Sequence, residues 1–220
     1  MKISFMTLII AGAVVGTLPM AAAAQHVPRI VVMTPSVGFS GGYVGFGLNR
    51  DSGSIDMNGE TGDQAQQLLG TRSLGEPSGL GLNLRAGYDW RAGNTIFGVW
   101  GEIAQSWAKD DVVIPAVSDT WSVGFGTSTA AMLRLGYDMG GVMVYSNAGY
   151  RWTDVELETF SGAYSDRSGG ISYGVGIETE FSHHMSGYLE FHRNTGKVDI
   201  EGLTADLSLN TFTLGVNYKF

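Results

Sequence analysis

The sequence predicts an all-β chain, an eight-stranded antiparallel up-and-down transmembrane barrel with short periplasmic turns and long extracellular loops. Three observations lead there. Apolar and polar residues alternate with a period of two through eight segments after residue 41. The connections between those segments alternate long and short. The face opposite each apolar one is filled by Gly, Asn and Ser, which suits the inside of a barrel whose outside meets lipid.

Composition is consistent with this. The 33 glycines follow no collagen repeat, and 11% aromatics favour close-packed strands over a helical bundle. Thirteen basic against twenty-one acidic residues give a net charge of -8, which argues against a nucleic-acid partner. There is no cysteine and so no disulfide framework.

Residues 1–24 read as a signal peptide. Lys2 is the positive start, Ile3 to Leu18 is an uncharged apolar run, and Pro19 with Ala21 to Ala24 makes a small-residue cleavage site, cut after Ala24. The competing reading is one membrane helix, for which the run is at the short edge of the roughly 17 to 25 residues a span needs. Later apolar stretches are interrupted by Gly, Asn, Asp or Arg, so further membrane contact must use strands. Residues 25–40, with Pro28 and Pro35 around Ile30 to Met33, read as a periplasmic leader. The alternative is that this segment tucks into the barrel mouth.

The barrel domain then covers residues 41–220. Its first strand, Gly41 to Arg50, sets Val44, Phe46 and Leu48 against Tyr43, Gly45, Gly47 and Asn49. A polar loop, Asp51 to Ser78, contains one weak helical candidate at Asp63 to Leu69. The second strand has Leu80, Leu82, Leu84, Ala86, Tyr88 and Trp90 on one face, and Arg91 to Asn94 turns it. The third, Thr95 to Trp107, shows Phe97, Val99, Ile103 and Trp107, and the polar stretch Ala108 to Thr120 follows.

The fourth strand, Trp121 to Tyr137, places Trp121, Val123, Phe125, Leu133, Leu135 and Tyr137 on its apolar side. Asp138 to Gly141 turns into a fifth strand with Val142, Val144, Ala148, Tyr150 and Trp152, and Thr153 to Gly169 is read as loop. The sixth carries Ile171, Tyr173, Val175, Ile177 and Phe181, and Ser182 to Met185 turns it into a seventh with Leu189 and Phe191. Asn194 to Asp206 is the last loop. The closing strand, Asn210 to Phe220, alternates Phe212, Leu214, Val216, Tyr218 and Phe220 with polar residues and Gly215.

Aromatics fall into two belts on the apolar faces. Tyr88, Trp90, Tyr137 and Phe181 lie at the turn end; Trp107, Trp121, Tyr150 and Trp152 lie at the loop end. Two such girdles are expected at the two lipid interfaces. A soluble lipocalin-like barrel would put the apolar face inside, leaving Gly, Asn and Ser to cover its outside.

The signal peptide, the opening Gly42-Tyr43-Val44-Gly45, the Gly-Tyr pairs at Gly87-Tyr88 and Gly136-Tyr137, and the terminal Tyr218-Lys219-Phe220 resemble the small outer-membrane barrels of Gram-negative bacteria. The resemblance is to the porin-like surface-antigen barrel family related to the OmpA membrane domain. It implies an outer-membrane location, contact with membrane lipid and lipopolysaccharide, and an assembly signal at Leu214, Val216, Tyr218 and Phe220 read by the barrel-assembly machinery. No periplasmic peptidoglycan-binding domain is expected after Phe220, and that part of OmpA function is not expected to transfer.

Inward charges are the candidate chemistry. Arg85, Glu102, Arg134, Glu178 and Glu190 are expected to form a polar network in the lumen, with Glu102 opposite Asn83 and diagonal to Arg85 if Trp90 faces Thr95, and Glu178 opposite Glu190 if the turn runs from Ser182 to Ser186, Arg134 and Arg85 across the barrel being the natural partners of those two carboxylates. Eight strands leave an interior just wide enough for side chains, so a structural plug is favoured over a gated or narrow solute path. An enzyme acting on lipid A would need a nucleophile beside a base at the outer rim. Only His192, two residues from Glu190, is placed for that, and no serine partner is evident. No cofactor or metal pattern is present. The long loops, Asp51 to Ser78 and Thr153 to Gly169, are where an extracellular ligand would bind.

Overall fold

The computed structural model describes residues 38–57, 59–68, 70–114, 119–159, 162–200 and 203–220. The expected signal peptide and nearly all of the leader lie outside them. Among the described residues, ten strands and one helix follow in order: β1 (Gly41–Asp56), α1 (Gly59–Leu68), β2 (Ser73–Gly75), β3 (Ser78–Ala92), β4 (Thr95–Ser106), β5 (Lys109–Ile114), β6 (Asp119–Asp138), β7 (Val142–Thr159), β8 (Gly162–Ser182), β9 (Met185–Ile200) and β10 (Leu203–Lys219). Among the described residues no helix is long and apolar enough to cross a membrane.

Eight of the strands close a ring in the order β1-β10-β9-β8-β7-β6-β4-β3, with β3 pairing back onto β1. Every pairing is antiparallel. A row of register partners starting at Tyr43 passes Gly87, Trp100, Met132, Gly149, Ser172, Asn194 and Leu209 and meets β1 again at Gly53. That stagger is the shear a closed barrel needs, and it tilts the strands.

Over the turn-side part of the ring the alternation is as expected, apolar outward and polar inward. Leu84, Leu133, Leu135, Ile171, Val175, Phe212 and Leu214 are exposed, while Asn83, Arg85, Arg134, Asn147, Glu178 and Thr213 are buried. The turns are tight. Ala92 pairs with Thr95, leaving Gly93 and Asn94 as a two-residue turn with Gly93 at φ 63°. At the next, the Asp138 carboxylate accepts the amides of Gly140 (2.8 Å) and Gly141 (3.1 Å) and also pairs with Arg91.

The segments expected as loops are largely strand. β7 and β8 pair without interruption from Val142–Thr179 to Thr159–Gly162, and β9 and β10 run together to Ile200–Leu203. Here the polarity rule reverses. The same inward-facing phase that carries Asn49 and Asp51 on β1 next presents Ile55, and on β10 Thr211 gives way to Leu209, Leu207 and Ala205. These pack with Met57, Ala108, Val123, Phe125, Val155 and Ala65 of α1 in one apolar core.

This outer tier obeys the rule of a soluble barrel, apolar inside and polar outside, because its surroundings are water. Its ring is completed differently: β5 replaces β4 beside β6, and β2 pairs with β1. The Glu76 amide joins the two by donating to Asp110 Oδ2 at 2.8 Å.

The fourth predicted strand contains a correction. The register of β6 against β7 shifts between Phe125 and Ser128. Such a bulge inserts residues without a partner and swaps the faces beyond it. Val123 and Phe125 are therefore buried, and Trp121 packs on the outer core. Trp121 does not stand in a lipid-facing girdle, whereas Trp107, Tyr150 and Trp152 at that end, and Tyr88, Trp90, Tyr137 and Phe181 at the other, are exposed.

Candidate functional site: the barrel lumen

Several of the largest inward side chains of the membrane tier lie over a glycine on a neighbouring strand. Gly45 faces Arg85, Gly98 faces Arg134, Gly176 faces Tyr145 and Gly215 faces Tyr188. A Cβ at Gly176 would stand 2.5 Å from the Tyr145 ring, and one at Gly215 would stand 2.3 Å from Tyr188. The glycines of the polar face are thus clearance for arginine and tyrosine in a narrow interior.

The five expected charges are all buried, in three groups. Arg85 Nη1 donates to both oxygens of Glu190 at 2.9 Å, and its Nε donates to Asn217 Oδ1 at 3.0 Å. Tyr145 donates to the same Glu190 at 2.7 Å, and the Arg85 guanidinium lies 3.4 Å over the Tyr188 ring. Arg134 is held by Asp89 on one side and by Glu178 on the other, the latter at 2.9 Å. Glu178 also takes Ser186 Oγ at 2.5 Å and lies 3.3 Å from Lys219 Nζ. Glu102 pairs with Arg151 at 2.6 Å.

Two register expectations are corrected. Glu102 lies directly opposite Arg85, not Asn83, because the β3–β4 turn has two residues rather than four. Glu178 faces Tyr188 and Glu190 faces Gly176, so the two carboxylates do not oppose each other. Each has its own arginine, and no cation need be shared. Asp89, Arg151 and Lys219 complete the groups. Their inward phase was readable, but the partners were not, because pairs form across two or three strands of the curved wall.

Hydrogen bonding of this density makes a rigid polar plug. It is closed at the turn end by Phe39, which is fully buried with Ile96, Met143 and Tyr145 and has Lys219 Nζ 4.4 Å from its ring. The described end of the segment read as a leader thus sits in the mouth, while the patch Ile30 to Met33, on which the alternative for that segment rested, lies outside the described residues. His192 is buried and inward, its Nε2 3.4 Å from Glu190 Oε2. No group of three or more metal-ligating side chains occurs among the described residues. Leu214, Val216 and Tyr218 on β10, and Phe220 just after it, are exposed.

Fold and site together define a membrane-spanning β-barrel with a plugged polar interior. Residues 10–220 match the family model for the outer membrane protein beta-barrel domain, and the chain belongs to that family. It is an outer-membrane protein of a Gram-negative bacterium, with its tight turns periplasmic and its outer tier extracellular. It is 26% identical over 205 residues to the 25 kDa outer-membrane immunogenic protein of Brucella melitensis, which covers 88% of this chain and 85% of the relative. It is 25% identical over 147 residues to the 22 kDa outer membrane protein of Rhizobium leguminosarum, covering 64% of this chain and 67% of that one. Among solved structures, Neisserial surface protein A superposes with a TM-score of 0.52 at 15% identity, covering 82% of this chain and 98% of that one, a likeness of fold.

Proposed function

We propose that the protein is a structural, surface-exposed barrel whose outward contacts are made by its extracellular tier, while the lumen is a plug and not a solute path. One observation carries this reading. The core of Ile55, Phe125, Val155, Leu207 and Leu209 lies on the inward faces of strands that continue from the lumen, β6 after its bulge, so the outer mouth is filled by packed apolar side chains. The buried Arg–Glu groups and Phe39 add two further barriers below it.

Partners follow from the surfaces. The lipid face contacts outer-membrane lipid and lipopolysaccharide, the C-terminal residues Leu214, Val216, Tyr218 and Phe220 serve the barrel-assembly machinery, and an extracellular ligand or antibody would meet α1 and the hairpin tips. The name of the Brucella relative, an immunogenic protein, supports surface exposure. A non-enzymatic role is supported by His192, which is enclosed beside Glu190 rather than presented at the outer rim.

The test is conductance. Refolded protein in a planar bilayer should show no discrete current steps. Steps that change when Arg85 or Glu102 is neutralised would establish the channel reading instead. Cells expressing the protein should show unaltered lipid A; new species lost on His192→Ala would establish the enzyme.

A further inference from the structure

The inner wall of β7, β8 and β9 carries a cluster that the protein leaves unpartnered. Neither polar atom of the Asn147 side chain has a hydrogen-bond partner in the chain, and the same holds for Ser172 Oγ, Asn194 Oδ1 and His192 Nδ1. All four residues are at least nine-tenths buried. They are also neighbours: Asn147 and His192 are the two register partners of Gly174, and Ser172 faces Asn194. On β7, Asn147 stands between Tyr145 of the ion-pair groups and Val155 of the outer core.

Other lumen atoms without partners lie apart from this cluster or differ in kind: the Tyr43 hydroxyl and Trp100 Nε1 belong to a separate aromatic group with Ala130 and Met132. The free Nη2 of Arg85 and Nδ2 of Asn217 belong to side chains already fixed by other bonds. Asn147 and Ser172 are fixed by none. Buried polar groups are overwhelmingly paired, so four adjacent exceptions on one wall point to a guest that supplies the bonds.

The chemistry of the wall describes the guest. Asn147 Nδ2 and the free Arg151 Nε donate, Asn147 Oδ1 and Asn194 Oδ1 accept, and the Ser172 hydroxyl does either. Charge is already balanced there, since Arg151 pairs with Glu102 and Glu190 with Arg85. Mixed donors and acceptors without surplus charge suit a neutral molecule. We propose that Asn147, Ser172, His192 and Asn194 form an enclosed lumen site for small neutral hydrogen-bonding molecules, water or a short polyol. This goes beyond the plug reading, which asks only that the charges be satisfied.

The test uses the whole refolded chain in detergent micelles, with ¹⁵N label to observe the Asn147 side-chain amide by NMR. Magnetisation transfer from long-lived water to that amide is expected. In added glycerol, transfer from glycerol protons in place of water identifies a polyol site, and unchanged water transfer identifies a water site; both support the proposal. Absence of transfer from either overturns it. As a second measurement, Asn147→Leu should lower the urea midpoint of the heat-modifiable folded band, because the remaining groups lose their shared guest. A raised midpoint means the amide was simply unpaired, and the site does not exist.

Discussion

Arg85 and Glu102 face each other directly across β3 and β4, yet they do not pair: Arg85 reaches over β1 and β10 to Glu190, and Glu102 takes Arg151 from β7. In a narrow barrel the side chains converge on the axis, so a long arginine meets the far wall before its neighbour. Removing one member of such a pair strands a buried charge, at about 3–5 kcal/mol. Glu190→Gln should lower urea stability by that order, and so should Arg85→Met. The double variant should recover much of the loss, because no lone charge remains.

Gly98 tests the clearance role of glycine. A Cβ there would stand 2.2 Å from Asp89 Oδ1 and 2.8 Å from Arg134 Cγ, whereas one at Gly101 meets only Ala130 O at 3.9 Å. Gly98→Ala should destabilise by about 1–3 kcal/mol, as overpacking does. Gly101→Ala should be neutral or stabilising, since alanine is otherwise the better strand residue. Equal midpoints for the two would remove the clearance account.

The outer tier should fail separately from the membrane tier. Phe125→Ala empties the apolar core at a cost of about 3–5 kcal/mol. Limited proteolysis should then cut the hairpin ends of β7–β8 and β9–β10, while the heat-modifiable band of the membrane tier persists.

Lipid exposure of the apolar face is checked at Leu133, which is 62% exposed. Leu133→Arg should cost about 2–4 kcal/mol in a bilayer if this position is near the midplane. The same protein in an aqueous lipocalin-like fold would tolerate the change at a surface site.

The membrane tier was legible because alternation held from Tyr43 to Asp51 and from Lys219 to Thr211 with one polarity per face. The outer tier was not. Ile55, Leu207 and Leu209 keep the inward phase but swap chemistry, so a rule that equates apolar with outward reads them as irregular loop. The bulge near Gly126 moved Trp121, Val123 and Phe125 to the opposite face, a displacement that no periodicity announces. Within the lumen, the residue types were readable from phase alone. Arg134 and Arg85 were legible as the partners of Glu178 and Glu190 from their places across the barrel. The partner of Glu102 depended on turn length and curvature, and an error of two residues at Gly93–Asn94 was enough to misplace it.

Phe39 rests on Lys219, and Lys219 is in register with Tyr43 only once β1 and β10 have met. The cork's seat is shared between Ile96, Met143 and Tyr145 on one wall and Lys219 at the seam, so it is complete only when the seam is zipped. Completion of the cylinder and stoppering of its inner mouth become a single event, and a nascent barrel still open at that seam would be recognisable by a loose N-terminal segment.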